Sequence, residues 1–108
     1  MTILEFRDLA LSFPGTVENP HFDRIAYKIP DKKIFATLHE KSGTANLKFS
    51  EADQAVFCTY EGKVVYPVPN KWGQHGWTTI ILEKFPKELM LDALDRAYRN
   101  GLISKKKK

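Results

Sequence analysis

Three short segments in the first half of the chain alternate apolar and polar residues, and tight-turn signals separate them. The segments cover 25–29, 34–38 and 45–49. Because side chains along a strand point alternately to its two faces, each segment predicts a strand with one buried and one wet face. Connections this short join antiparallel neighbours, since a parallel pair needs a crossover of a dozen or more residues. The pattern therefore predicts an antiparallel meander, which restricts the fold more than any other feature of the sequence.

Helices are predicted at both ends of the chain. Thr2 and Glu5 form a capping box, and apolar residues then recur at helical spacing over 3–13. Near the other end, Pro86 suits the first turn of a helix with a broad apolar face. Gly101 is the expected C-cap of that helix. Each helix thus has one apolar stripe that must pack against another element.

The remaining segments predict a short helix and two further strands. Ser50 is a candidate N-cap for a helix that runs to about Cys58. Residues at 64–68 and 77–82 favour β-structure. The expected fold class is therefore α+β: an antiparallel sheet of about five strands, with the N- and C-terminal helices packed on one face and a short helix mid-chain.

Length and composition fit one globular domain. A chain of 108 residues that is 43% hydrophobic and 28% charged can bury a modest core without disulfides or metals. We expect the domain to span 1–102 and a basic, disordered tail to follow at 103–108. Four of the 17 Lys and Arg residues lie in that tail, so 13 cationic residues remain against 13 acidic ones. The net charge of +4 is therefore weak support for a polyanionic partner.

The sequence carries no signal for membranes or for an oxidising compartment. No apolar segment approaches the ~20 residues that a membrane-spanning helix needs, and the N-terminus lacks the regions of a signal peptide. The single cysteine, Cys58, cannot form an intramolecular disulfide. We therefore expect a cytoplasmic protein that does not engage membranes. The sequence leaves the oligomeric state unknown, and our expectation is a monomer.

No catalytic or metal-binding motif is recognisable. The possible metal ligands Cys58, His21, His39 and His75 lack the paired spacings of known sites. No serine or cysteine lies in a nucleophile motif, and the glycines are spaced as turns. We expect no metal, no cofactor and no enzymatic activity. An enzyme would need a pocket that sets one of the three histidines against a carboxylate.

Two groups of residues could contact a phosphate backbone. The first is the polar loop at 67–77, which offers amide and ammonium groups. The second is the wet face of the meander with its turns, where alternation points Lys28 and Lys48 to solvent. Lysines on wet strand faces also keep sheet edges soluble, so this second group has a simpler explanation. The candidate nucleic-acid-binding residues are Lys28, Lys32, Lys33, Lys48, Asn70, Lys71 and Gln74.

Aromatic residues around the same loop support a different hypothesis. Trp72, Trp77, Tyr66 and His75 could line a pocket for a small ligand or a patch for a protein partner. Trp77 also begins an alternating run, which favours a core anchor at that position. A basic stripe across the hairpins would support DNA binding, whereas an apolar concavity beside Trp72 would support the alternative.

Several weak motifs occur together in an order that resembles the MmcQ/YjbR family. They are Phe13-Pro14-Gly15-Thr16-Val17-Glu18, Pro20-His21-Phe22, Lys32–Leu38, Ala45-Asn46-Leu47-Lys48, Tyr66–Gly73 and Gly76-Trp77-Thr78. The resemblance covers nearly the whole chain except the lysine tail. It implies a CyaY-like (frataxin-like) α+β fold, in which terminal helices back an antiparallel sheet.

The resemblance also implies a function. Members of this family are predicted to bind DNA through a double-wing arrangement, in which β-hairpins supply the contacts. Because lysine contacts to the phosphate backbone position a protein without reading bases, we expect little sequence specificity. Asn70-Lys71 matches the family pattern near the second wing, but the approach to Trp77 is longer here. Iron delivery, which in frataxins depends on an acidic ridge, is disfavoured because the first helix offers only Glu5 and Asp8, opposed by an arginine.

Overall fold

The computed structural model describes residues 1–103, and its centre is a six-stranded antiparallel sheet. The strands are β1 (Val17–His21), β2 (Arg24–Lys28), β3 (Ala36–His39), β4 (Thr44–Lys48), β5 (Val65–Pro67) and β6 (Trp77–Ile81). Their order in the sheet is β1-β2-β3-β4-β6-β5. The helices are α1 (Ile3–Leu11), α2 (Glu51–Phe57), α3 (Lys71–Gln74) and α4 (Lys87–Ile103), with a 3₁₀ turn at Leu82–Lys84. The predicted α+β class is confirmed, with one strand more than expected.

Capping determines where the early helices begin, as predicted. Thr2 Oγ1 accepts from the Glu5 N–H at 3.1 Å, while Glu5 Oε1 accepts from the Thr2 N–H at 2.9 Å. Ser50 Oγ accepts from the Asp53 N–H at 3.1 Å and starts α2. Each of these bonds satisfies a backbone N–H that has no partner within its helix, which typically stabilises the helix by about 1 kcal/mol.

The core lies between one face of the sheet and the two long helices. Strand side chains on this face, such as Tyr27, Leu38, Leu47 and Ile80, are fully buried. Helices α1 and α4 supply Phe6, Ala10, Met90, Ala93, Leu94 and Ala97 to the same cluster. Burying a large apolar side chain contributes about 1.5–3 kcal/mol, so this one-sided packing holds the layers together.

The opposite face of the sheet, which we call the open face, has no long helix against it in the described part of the chain. Register pairing places Ala26, Thr37, Asn46, Thr79 and Tyr66 in one row across this face. Polar residues dominate the row, as expected for a sheet with one wet side.

Strand β1 is not among the predicted strands, because the segment 16–20 lacks the alternation of apolar and polar residues. It is an edge strand that pairs with β2, and an edge tolerates Pro20 because the missing N–H can face away from the partner. Arg7 on α1 donates from Nε to Glu18 Oε2 at 3.2 Å. This hydrogen-bonded guanidinium holds the pKa of Glu18 below its usual value. Partners outside the strand thus stabilise a segment whose own sequence lacks alternation.

The predicted end of the last helix at Gly101 is wrong. Helix α4 continues to Ile103, so the first residue of the predicted tail at 103–108 is helical, and 104–108 lie outside the described residues. A Cβ at position 101 would lie 3.3 Å from the Phe35 Cβ. Glycine therefore avoids a tight contact with Phe35 in the segment before β3, and it does not terminate the helix.

Gly76 is predicted to be far less tolerant of substitution than Gly43. Both have a positive φ, 101° and 69°, but a Cβ on Gly76 would lie 2.0 Å from the Phe49 carbonyl oxygen, while position 43 has open space. We expect Gly76→Ala to lower the free energy of unfolding by about 2–4 kcal/mol, and Gly43→Ala by about 1 kcal/mol. Urea unfolding measures both; equal costs would contradict the close approach.

Candidate functional site

The connections of two hairpins lie at the same end of the sheet. Residues Tyr27, Ala36, Leu47, Thr78 and Pro67 pair in one row across five strands. Beyond that row, β2 and β4 end in lysines, and the β2–β3 and β5–β6 connections begin. We call this the basic end of the sheet, defined by Lys28, Lys32, Lys33, Lys48 and Lys71. Topology thus brings all seven predicted nucleic-acid-binding residues to one end.

The lysines of the basic end form no ion pair with a carboxylate in the described part of the chain. Within residues 1–103, the ion pairs involve Arg7, Lys87, Arg96, Arg99 and His39, but none of these five lysines. Acidic residues near this end are Asp31, in the β2–β3 connection, and Glu51 and Asp53, in the first turn of α2, where Asp53 is ion-paired with Arg96. The lysines are therefore free to meet an external anion.

Lys48 is the most unusual of these cations. It is half-buried at the end of β4, where it pairs with Trp77 of β6. Burial lowers the pKa of Lys48, and the positive charge of Lys33 lowers it further. A partly desolvated charge without a partner costs stability, so an anion bound beside it would remove part of that cost.

Charge is divided between the two layers of the protein. Helices α1, α2 and α4 carry seven carboxylates against four cations, namely Glu5, Asp8, Glu51, Asp53, Glu88, Asp92 and Asp95 against Arg7, Lys87, Arg96 and Arg99. The strand residues that point to the open face include Arg24, Lys28 and Lys48 and, in the described part of the chain, no carboxylate. A formally neutral body therefore presents a basic face.

A cleft of about 360 Å³ crosses the open face from the basic end. Its apolar wall consists of Ile34, Val68, Trp72 and Trp77. Trp72 is 62% exposed and Trp77 is half-buried. This is the concavity beside Trp72 that the alternative hypothesis requires, and it adjoins the lysines that the first hypothesis requires.

The rest of the cleft is polar. His21, Arg24, Thr37 and Asn46 line it. Arg24 donates from Nη1 to Thr37 Oγ1 at 3.3 Å. The Thr79 hydroxyl donates to Asn46 Oδ1 at 2.7 Å, which leaves the Asn46 Nδ2 group as a donor for a ligand. Thr37 and Asn46 were not among the predicted site residues. They belong to no local motif, and only the pairing of the strands places them side by side.

Trp77 is not the core anchor that its alternation suggested. Its side chain points to the open face, and its neighbours Thr78 and Ile80 fill the core with no exposure. Of the other aromatic candidates, Tyr66 lies on the same face and is 38% exposed. His75 is exposed at the C-cap of α3 and does not line the cleft.

The segment 67–77 is ordered by close backbone contacts and is not a loose loop. Its middle forms α3, in which a Cβ at Gly73 would lie 2.0 Å from the Val68 carbonyl oxygen. Gln54 on α2 donates from Nε2 to the Gly73 carbonyl at 2.9 Å and to Thr78 Oγ1 at 3.1 Å. Gln54 therefore positions α3, a role that no local pattern could reveal.

Two of the predicted contact residues have different roles in α3. Asn70 is the N-cap of α3, and its side-chain oxygen Oδ1 accepts from the Trp72 N–H at 2.8 Å. The side-chain carbonyl of Asn70 is therefore already hydrogen-bonded. Gln74 is exposed at the end of the helix. Asn70 thus orients Trp72, and only its Nδ2 group remains for a partner.

One histidine does face a carboxylate, as an enzymatic site would require. His39 Nε2 lies 3.0 Å from Asp23 Oδ2, and His39 Nδ1 lies 2.7 Å from Ser42 Oγ. The Ser42 N–H also points to Nδ1, at 3.3 Å, so Nε2 carries the proton. His39 ends β3, while Asp23 and Ser42 lie in the β1–β2 and β3–β4 turns, opposite the basic end, and the Asp23 side chain is 77% exposed. We interpret the network as a tie between two turns.

No three His, Cys, Asp or Glu side chains within residues 1–103 come together in a way that could hold a metal ion. No helix of the described chain is long and apolar enough to cross a membrane.

Removing the half-buried charge of Lys48 should stabilise the fold. Its lowered pKa means that the cost is fully present at neutral pH and is relieved only as pH rises through the folded-state pKa towards the ordinary lysine value. We expect Lys48→Met to raise the thermal midpoint at pH 7 by about 2–4 °C. Lys71→Met, at an exposed site on α3, is the control and should give no comparable gain. Circular dichroism melts at low salt measure both; a midpoint lowered by Lys48→Met would contradict this account.

Comparison with known proteins places the fold. A Deinococcus radiodurans protein with a domain described as DUF419 superimposes with a TM-score of 0.78 at 18% identity, covering 97% of this chain and 80% of its own. A Pseudomonas syringae protein solved by a structural genomics consortium gives 0.73 at 18% identity, covering 94% and 99%. No curated protein matches the sequence significantly. The family model YjbR matches residues 11–100, which confirms the resemblance seen in the motifs, and the chain therefore belongs to the YjbR family.

Proposed function

We propose that this protein binds DNA through the basic end of its sheet. The β2–β3 and β5–β6 hairpins would act as two wings, with Lys48 between them. The observation that carries the proposal is the convergence of five lysines, none of them ion-paired within residues 1–103, at one end of a sheet whose strands, in this range, point no carboxylate to the open face.

Lysine contacts of this kind bind the backbone and read no sequence. Each phosphate that a lysine neutralises releases counterions, so the logarithm of the affinity falls with the logarithm of salt concentration by about 0.9 per contact. Five contacts predict a slope no steeper than about −4.5 and non-specific affinities of about 10⁻⁴–10⁻⁶ M at physiological salt. The proposed role is binding without catalysis.

The four C-terminal lysines also contribute to any measured DNA affinity. Lys105 to Lys108 lie outside the described residues, yet they add four positive charges to the chain. A basic tail attracts any polyanion, so its contribution must be separated from that of the folded surface.

A second candidate function rests on the cleft itself. A volume of about 360 Å³ falls within the range of small-molecule pockets, and the wall of Trp72, Trp77, Val68 and Ile34 would suit an apolar or aromatic ligand. Such a ligand, or an aromatic side chain of a protein partner, would bind with little dependence on salt.

Neutralising the basic end should weaken DNA binding and flatten its salt dependence. We expect Lys48→Gln/Lys71→Gln to lower affinity for a DNA duplex about tenfold at low salt, and to reduce the slope by about 1.8, since two contacts are lost. Fluorescence anisotropy across a salt series measures both quantities.

The control is Lys84→Gln/Lys87→Gln, which removes the same charge outside the open face. A chain that lacks Lys105 to Lys108 gives the tail's share. Undetectable binding at low salt, or equal losses in the two double variants, would show the proposed function to be wrong.

A further inference from the structure

We infer that the cleft on the open face receives an unpaired base, so that the form of nucleic acid this protein prefers is a single strand. The inference rests on the proposed function, because it adds a base site to the proposed phosphate site. It commits the cleft to one occupant, a nucleotide within a strand.

The first argument is the chemistry of the apolar wall. Trp72 and Trp77 supply two indole rings to one cleft, and Trp72 is 62% exposed. Aromatic rings on an open sheet are platforms on which unstacked bases pack, and every base has such a face. A base inside a duplex has both faces covered by its neighbours and cannot use this wall.

The second argument is the spacing of charge and ring. Lys48 and Trp77 are directly paired across β4 and β6, and both point to the open face. Directly opposite residues of an antiparallel pair are about 4.5–5.5 Å apart at Cα. A nucleotide carries a phosphate and a base on one sugar, so an ammonium beside an indole complements both groups at once.

The third argument is the polar part of the cleft. The Thr79 hydroxyl occupies Asn46 Oδ1 and leaves Nδ2 as a donor, while Arg24 keeps further N–H donors after its bond to Thr37. Amide and guanidinium donors pair with the acceptor groups on a base edge. A purely apolar ligand in this cleft would leave these hydrogen-bond donors without acceptors.

An exposed ring at the far side of the cleft extends the surface. Phe22 is 96% exposed, has a φ of 60° and contacts the ring of His21, which lines the cleft, at 5.0 Å between centroids. A bulky residue in the left-handed region is strained, and this ring is not buried in return. We assign it a second stacking position.

The two tryptophans make the inference directly measurable. They are the only two in the sequence, and both line the cleft, so the intrinsic tryptophan fluorescence of the full chain reports on this site. The probes are a thymidine oligonucleotide of about 12 nucleotides, an abasic oligomer of the same length and charge, a duplex, and free thymidine monophosphate.

We expect the thymidine strand to quench this fluorescence and to bind about 5- to 100-fold more tightly than the abasic oligomer or the duplex. Trp72→Ala should remove that preference and leave duplex binding within about twofold. Leu91→Ala, at a 49% exposed site on α4, is the control and should change nothing. Phe22→Asn should relieve the backbone strain and so raise stability, because asparagine tolerates the left-handed region, while it weakens binding of the single strand only.

Different outcomes separate the two proposals. Equal binding of the thymidine, abasic and duplex probes, all salt-dependent, would overturn the base site and leave the backbone proposal intact. Binding of thymidine monophosphate as tight as that of the oligonucleotide would make the cleft a small-molecule site and overturn the inference. If none of the probes binds at low salt, the proposed function fails first and the inference fails with it.

Discussion

One-sided packing is the constraint on which the rest of the structure depends. Helices α1 and α4 both bury their apolar stripes on the same face of the sheet, through residues such as Phe6, Met90 and Leu94. Among the described elements, only the single turn α3 lies over part of the other face, at the basic end. The cleft and the lysines around it are accessible because the core is complete without them.

The site combines rigid positioning with electrostatic cost. Gly73 and Gly76 allow α3 and the start of β6 to approach the backbone of Val68 and Phe49, and Gln54 holds α3 from the side. The backbone that carries the two tryptophans is therefore held in place, which lowers the conformational entropy lost when a ligand binds. Lys48, in contrast, costs stability, because its charge lies where burial disfavours it. Such a residue is easier to explain by a bound anion than by stability.

Elements whose signals are local were predictable, and elements that depend on distant partners were not. Neighbouring residues are enough to predict the capping box at Thr2, the cap at Ser50 and the alternating strands. The structure confirms all three. Strand β1 was not predicted because its stability comes from pairing with β2 and from the ion pair between Arg7 and Glu18. The predicted helix end at Gly101 was wrong because this glycine packs against Phe35, a residue far away in the chain.

The sequence by itself determined the fold class, the family and the identity of the seven candidate contact residues, because those follow from residue order and local spacing. Only the tertiary structure decided that these residues meet at one end of the sheet, that Trp77 faces the cleft and not the core, and that Thr37, Asn46 and Gln54 belong to the site. The physical reason is that strand order and register arise from contacts between residues far apart in the chain, and a one-residue change of register would reverse the face of every side chain in a strand.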